Sequence, residues 1–309
     1  MGHFLQSIVG SVDPYTLQII VNIGIAIPLA LGLNVITGLT GQLSLGHAAF
    51  MSIGAFIGAI LTNRLGLPFE LNLILTGLLT ALIGVLIGFP ILRLTGDYLA
   101  ICTLGFAEIV KVVFLNLDIT NRALGLQVVP AKTSIPMPIY VWVVAIISIV
   151  FVTFLQSSRL GRAMKAIRED EIAAEAMGIN LAIYKVKSFA IGTFLAGIGG
   201  CLYAHFINYI NPSDFGFLKS VDILSMVVLG GLGSIPGTVF GAAVLSAAPE
   251  FLRFMSQYRM LVYGALLVCL MVFRPNGLLG GVNFTGMLMK ALGRRASETL
   301  APDPKRREL

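Results

Sequence analysis

The chain is a succession of apolar runs, each close to the length that crosses a bilayer. Covering roughly 30 Å of hydrocarbon takes about 20 residues of α-helix. Runs of that size fall at about 15–36, 43–62, 70–92, 97–115, 138–156, 187–208 and 256–273, and two shorter apolar pieces, 217–232 and 236–252, precede the last. The Val141–Leu155 stretch is as β-branched as a buried strand, but among full-length spans it reads as helix. The expected architecture is therefore an all-α polytopic membrane protein of about 8–10 transmembrane helices, including a broken hairpin. Composition agrees: 57% of the 309 residues are hydrophobic and 12% charged, against about 25% charged in ordinary globular chains. That leaves too little polar surface to cover a water-soluble body. The 34 glycines sit inside apolar runs, where small residues let membrane helices approach closely.

A net charge of +6 would suit nucleic acid, but the basic residues lie in loops and a tail between spans, the pattern of cytoplasmic loops in membrane proteins. If the segment after Leu155 is cytoplasmic, Arg93, Arg159, Arg162, Lys165, Arg168, Lys185, Lys187, Arg274 and the tail residues from Lys290 lie inside. Outside remain Arg64, Arg122, Lys132, Lys219, Arg253 and Arg259. With the tail inside, the two short pieces must form a hairpin around Gly230–Gly237, as thin spans or a re-entrant pair, and the N-terminus lies outside. Residues 1–285 are expected to form the transmembrane domain, with 286–309 a disordered basic cytoplasmic tail. No Lys or Arg precedes Arg64, so the first span lacks the charged start of a secretory signal and is expected to be retained. Cys102, Cys201 and Cys269 have neither paired spacing nor even number, which argues against a disulfide framework or a zinc site.

One polar block interrupts the pattern. Ser157–Lys187 holds six basic and four acidic residues and is rich in helix formers. It predicts a short amphipathic helix over about Arg162–Met177 at the cytoplasmic face, stopped at Gly178 and Asn180. Ala163, Ile167, Ala174 and Met177 would make the apolar side, and Arg168, Glu169, Asp170 and Glu171 the polar one. Such a helix either rests in the lipid interface or docks on a protein; four acids beside an anionic leaflet favour the protein.

Several segments resemble a known family. Glu171-Ile172-Ala173-Ala174-Glu175-Ala176-Met177-Gly178-Ile179 is similar to the EAA loop of bacterial ABC importer permeases. Gly32-Leu33-Asn34 through Gly38, Gly41–Phe50, Ser158–Arg162, Leu229–Gly237 and Arg274–Leu278 narrow the resemblance to permeases of branched-chain amino-acid uptake systems, on the LivM-like side of that family. The resemblance covers about residues 15–280. It implies a permease subunit forming half of a translocation pathway in the bacterial inner membrane. It implies as partners a second, LivH-like permease, two cytoplasmic ATPases and an extracytoplasmic substrate-binding protein. Carried onto this sequence, Gly161, Arg162, Arg168, Glu169, Asp170, Glu171, Ala173, Ala174, Glu175 and Gly178 would form the helix that couples to an ATPase. The glycine clusters lack the lysine and the strand-to-helix setting of a phosphate-binding loop. ATP and Mg are thus expected on partner chains, and no cofactor or metal on this one.

Polar residues inside spans are functional suspects because placing them there is costly. Asn34, Gln42, Ser44 and His47 cluster near the junction of the first two spans and are candidates to line the pathway or to serve packing. Glu108 and Lys111, three apart on one helix, can pair as a structural ion pair or near the outer mouth of the pathway. Arg93 and Asp97 suggest an inner-face clamp. Gly54 with Gly58, Gly84 with Gly88, and Gly237 with Gly241 mark close packing within one subunit or between subunits. Gly230, Gly231, Gly233, Ser234, Pro236 and Gly237 form a turn that is either a gate or a structural corner. Leu, Ile and Val are the expected cargo from the resemblance alone. The rival classes are an ion-gradient-driven transporter or channel, for which only Glu108 offers a midplane carboxylate, and a non-transporting scaffold.

Overall fold

A computed structural model describes residues 13–130, 136–251 and Gly264. The expected span at 256–273 (but for Gly264) and the tail 286–309 lie outside the described residues. Helix α1 (Pro14–Leu33) starts on a proline and runs on into a π-helical turn, Asn34–Leu39. Then come α2 (His47–Leu65), α3 (Phe69–Ile91), α4 (Asp97–Asn116) and α5 (Met137–Ser157). Two polar helices, α6 (Arg159–Glu169) and α7 (Glu171–Ala176), lead into the 27-residue α8 (Leu181–Ile207). The hairpin α9 (Phe217–Gly230) and α10 (Ile235–Phe251) closes the described fold. Six helices among the described residues are long and apolar enough to cross a membrane.

The bundle is built around α8, which packs against α1, α2 and α3. Glycines set those distances. A Cβ on Gly54 would strike the Gly197 backbone, one on Gly200 the Met51 carbonyl, and one on Gly84 the Thr193 side chain. The Gly54/Gly58 and Gly84/Gly88 steps therefore serve packing within this chain, and Gly237/Gly241 face Gly230 and Met226 of α9 in the same way. Buried polar groups in this core are paired: Asn72 donates to the Gly58 carbonyl and to Thr62 Oγ1, Thr76 donates to Asn72, and Thr62 pairs with His205. By contrast α3 turns Leu71, Ile74, Leu78, Leu82 and Leu86 outward, and α5 turns out Val143, Ile146, Ile147, Val150 and Phe154. Apolar stripes of this extent on the outside suit hydrocarbon, not water.

The two ends differ. At one, β1 (Leu126–Gln127) pairs antiparallel with β2 (Tyr209–Ile210), and Asn63 donates to the Gln127 carbonyl. At the other lie α6 and α7. The hairpin helices are about 21 and 26 Å long at 1.5 Å per residue, short of the roughly 30 Å core. The chain has already entered the bundle before α9 begins, because Phe215, just ahead of it, packs on Phe56 and Tyr203.

Three sequence expectations change. The second span starts at His47, not 43, because residues 41–46 run non-helically: Gly41 has φ +73°, and Gly46 lies against the Thr103 carbonyl. The predicted single helix over Arg162–Met177 is two helices, broken at Asp170. That carboxylate leaves helical geometry and caps α7, accepting from the Ile172 and Ala173 amides, as short polar side chains do at helix starts. Arg93 lies over the Phe89 ring, 5.4 Å from its centroid, instead of clamping Asp97.

Candidate functional site

Three polar features follow one another from the α6 end into the bundle. The first is a knot of hydrogen bonds at that end. Arg168 Nη1 donates to the Gly38 carbonyl of the π-turn at 2.6 Å and to the Leu232 carbonyl of the hairpin turn at 3.4 Å. Gln156, at the end of α5, donates to the Gly233 carbonyl at 3.0 Å, and the Gly233 amide donates to Asn34 Oδ1 at 2.8 Å. Three regions distant in sequence, the π-turn, the α5–α6 region and the hairpin turn, thus meet at Gly231–Ser234. Gly233 is required twice over: its φ is +81°, and a Cβ would lie 2.6 Å from Arg168 Nη1. Gly230 and Gly237 let the arms of the hairpin touch backbone to backbone, Ser234 Oγ accepts from the Gly237 amide, and Pro236 sits in the first turn of α10. The π-turn matters because such bulges re-aim the backbone where a regular helix would not.

The helices that carry Arg168 are held from behind. Gly161 packs against the last turn of α5 with no room for a Cβ; Met164, Ile167 and Ala174 are buried. Lys185, buried at the foot of α8, pairs with Glu171 at 2.6 Å. Arg162 donates to the Ser157 carbonyl at 2.7 Å. Burial, then the charge of Arg168, holds the Lys165 ammonium below the usual lysine range. Facing out are Glu169, Asp170, Ala173 and Glu175, with Ile172 and Met177 82% and 83% exposed and Gly178 turning the chain at φ +82°. Met177 therefore lies on the outer surface and not on the buried side expected from spacing, because the break at Asp170 resets the phase of α7.

Beyond the knot lies a polar niche. Residues 41–46 lead back into the bundle, where the Leu45 amide donates to Thr103 Oγ1, the Ala48 amide to Ser220 Oγ, and His47 Nε2 pairs with the Leu29 carbonyl. Asn34 Nδ2, Thr37 Oγ1, both polar atoms of Gln42, Ser44 Oγ and His47 Nδ1 are buried without a hydrogen-bond partner. Each such group costs about 1–3 kcal/mol, yet six occur along 34–47 while the α2–α3–α8 core is satisfied. Asn34, Gln42, Ser44 and His47 are all buried, Asn34 against the hairpin turn and His47 against the Leu29 carbonyl. Glu108 is not: it pairs with Lys111 at 3.5 Å on α4, 44% exposed.

The third feature is a cavity of about 380 Å³ between α1, α8, α9 and α10. Asn22, Tyr203, Lys219, Asp222 and Ser246 supply its polar wall, and Ile25, Leu29, Met51, Ile223, Met226 and Leu245 its apolar one. Lys219, counted with the outer residues in the sequence, lines this cavity from the first turn of α9, half-buried. None of these residues stood out in the sequence, although Lys219 and Asp222 show the same three-residue spacing as Glu108 and Lys111.

The family model described as "Branched-chain amino acid transport system / permease component" matches residues 15–271. The LivM permease proteins of the high-affinity branched-chain amino acid transport systems of Salmonella typhimurium and Escherichia coli are each 38% identical, over 87% of this chain and 70% of theirs. The BraD permease protein of Pseudomonas aeruginosa is 30% identical over 82% of this chain and 90% of its own. The LivH permease protein of Escherichia coli matches at 34% over 47% of each chain. No solved structure matches. With 257 consecutive positions matched by one family model and the apolar bundle to go with it, the chain belongs to the permease family of branched-chain amino acid transport systems.

Proposed function

We propose that this chain is a LivM-like permease subunit of an ATP-driven importer for branched-chain or related amino acids, forming half of the translocation pathway beside a LivH-like permease. The carrying observation is the knot at Gly231–Ser234, in which one side chain of α6 holds both α1 and the hairpin. Packed elements switch between discrete arrangements instead of deforming smoothly. Displacement of α6 therefore reaches the pathway helices directly, and the knot acts as the inner gate. The α6 end faces the cytoplasm in this reading, in keeping with its arginines and lysines, as does the C-terminal tail, in a bacterial inner membrane. ATP and Mg are bound by two cytoplasmic ATPases, and an extracytoplasmic binding protein delivers the amino acid.

The exposed surface of α7 suits the ATPase. Ile172 and Met177 beside Glu169 and Glu175 are too apolar for water alone and too acidic for an anionic leaflet. Replacing Ile172 and Met177 together by Asp leaves the buried side of α6 and α7 untouched. Co-purification of the ATPase with the permease is expected to fall at least tenfold in that variant, with ATP-dependent leucine uptake lost in parallel. Undiminished ATPase binding would overturn the coupling role, and wild-type uptake needing neither ATP nor the binding protein would favour the ion-driven rival.

A further inference from the structure

We infer that the cavity between α1, α8, α9 and α10 is a subsite for a zwitterionic α-amino acid with an apolar side chain, its carboxylate on Lys219 and its ammonium on Asp222. The inference rests on the proposed transport of amino acids and assigns residues to it. A volume of about 380 Å³ lies at the small end of the roughly 300–1,000 Å³ typical of small-molecule sites. Lys219 and Asp222 are three apart on α9, so they project from one face into the same cavity. A cation and a carboxylate in so short and apolar a helix are expensive to keep there and mark function by default.

Lys219 lies over the Tyr203 ring, Nζ 5.7 Å from its centroid, and forms no ion pair among the described residues. Asp222 has a contact within the chain, and a carboxylate with about four lone-pair directions has the capacity to accept an ammonium as well. Below the two charges, Ile25, Leu29, Met51, Ile223, Met226 and Leu245 offer an apolar depth with no further charge among the described residues. The site thus selects an amino acid whose side chain is neutral and greasy, and discriminates against fatty acids and amines that carry half of the head group. Its floor adjoins the polar niche: Leu29 lines the cavity, and its carbonyl pairs with His47.

The test is photo-labelling of the full-length chain in lipid nanodiscs with photo-leucine, a leucine analogue carrying a diazirine, followed by peptide mass spectrometry. Label is expected on the peptides holding Ile25–Leu29 or Ile223–Met226. It should be competed by leucine but not by 4-methylpentanoate or isopentylamine. Lys219→Gln and Asp222→Asn should each lower it about tenfold, with Lys219→Arg restoring most of it; a Tm equal to wild type checks the fold. Label elsewhere, or unchanged label in both neutral variants, would overturn the subsite. The outcomes separate from the proposed function: competed cavity label with no ATP-dependent uptake keeps the site and removes the importer, whereas uptake with an unlabelled cavity does the reverse.

Discussion

Replacing Arg168 by Ala removes the one side chain that joins the polar helices to both α1 and the hairpin. Its bond to the Gly38 carbonyl is short at 2.6 Å, and the one to Leu232 is marginal at 3.4 Å, so one full bond is counted. A hydrogen bond from a charged donor contributes about 1.5–3 kcal/mol; Arg168 is exposed overall, which places the loss near the lower figure, about 1.5 kcal/mol. If the knot holds the inner end shut, that energy shifts the shut-to-open balance about tenfold toward open. The chain keeps its fold, and what suffers is coupling. In proteoliposomes carrying the full transporter, leucine imported per ATP hydrolysed should drop several-fold, with basal ATP hydrolysis raised. Arg159→Ala is the control, since Arg159 is exposed in the first turn of the same helix, at the far end from Arg168. Gln156→Ala should act in the same direction, and the double variant should fall short of the sum because both side chains hold one turn. Equal uptake per ATP in Arg168→Ala, Arg159→Ala and wild type would refute the gate.

Gly200→Ala puts a methyl onto the Met51 carbonyl, an overpacking expected to cost about 1–3 kcal/mol and to lower the Tm of the purified chain; Gly105→Ala, with open space around it, should not. Glu171→Gln strands the buried Lys185 ammonium and should destabilise by less than about 3 kcal/mol, the low end for breaking a buried pair, because Glu171 is 41% exposed; chemical denaturation of Glu171→Gln, and partial recovery in Glu171→Leu with Lys185→Met, check this. Gln42→Met removes an amide buried without a partner. It should hold or raise the Tm, by up to about 1 kcal/mol of stability, while slowing leucine uptake; lost stability would show that the amide serves packing.

Much of the architecture was legible along the chain because a bilayer imposes a length. The starts and ends of α3, α4 and α5 fall within a few residues of the apolar runs, whereas α8 begins at Leu181, six residues before the expected 187; proline before α3 and α5 and left-handed Gly66 and Asn208 after α2 and α8 mark helix limits. The candidate residues Asn34, Gln42, Ser44 and His47 were visible because polar side chains in apolar runs stand out. Less legible were the break at Asp170, where a cap competes with helix continuation, and the entry of residues 41–46 into the bundle, where a segment between two apolar runs follows a non-helical path. Arg93 and Asp97 had the spacing to pair, but the guanidinium lies over the Phe89 ring and forms no ion pair among the described residues.

Run length and composition by themselves determined that the chain is a helical membrane protein, and the density of charge in Ser157–Lys187 determined where its one polar segment lies. These are local properties: hydrocarbon demands an apolar stretch of set length wherever the stretch ends up. Only the tertiary structure decided that Arg168 meets Gly38, 130 positions away, that the glycine steps pack within the chain, and that Lys219 and Asp222 share a cavity with Asn22 and Ser246. In water, an apolar stripe tells which face of a helix turns inward. In lipid both faces are apolar, so the rotation of each helix is set by where glycines permit contact and where buried polar groups find one another.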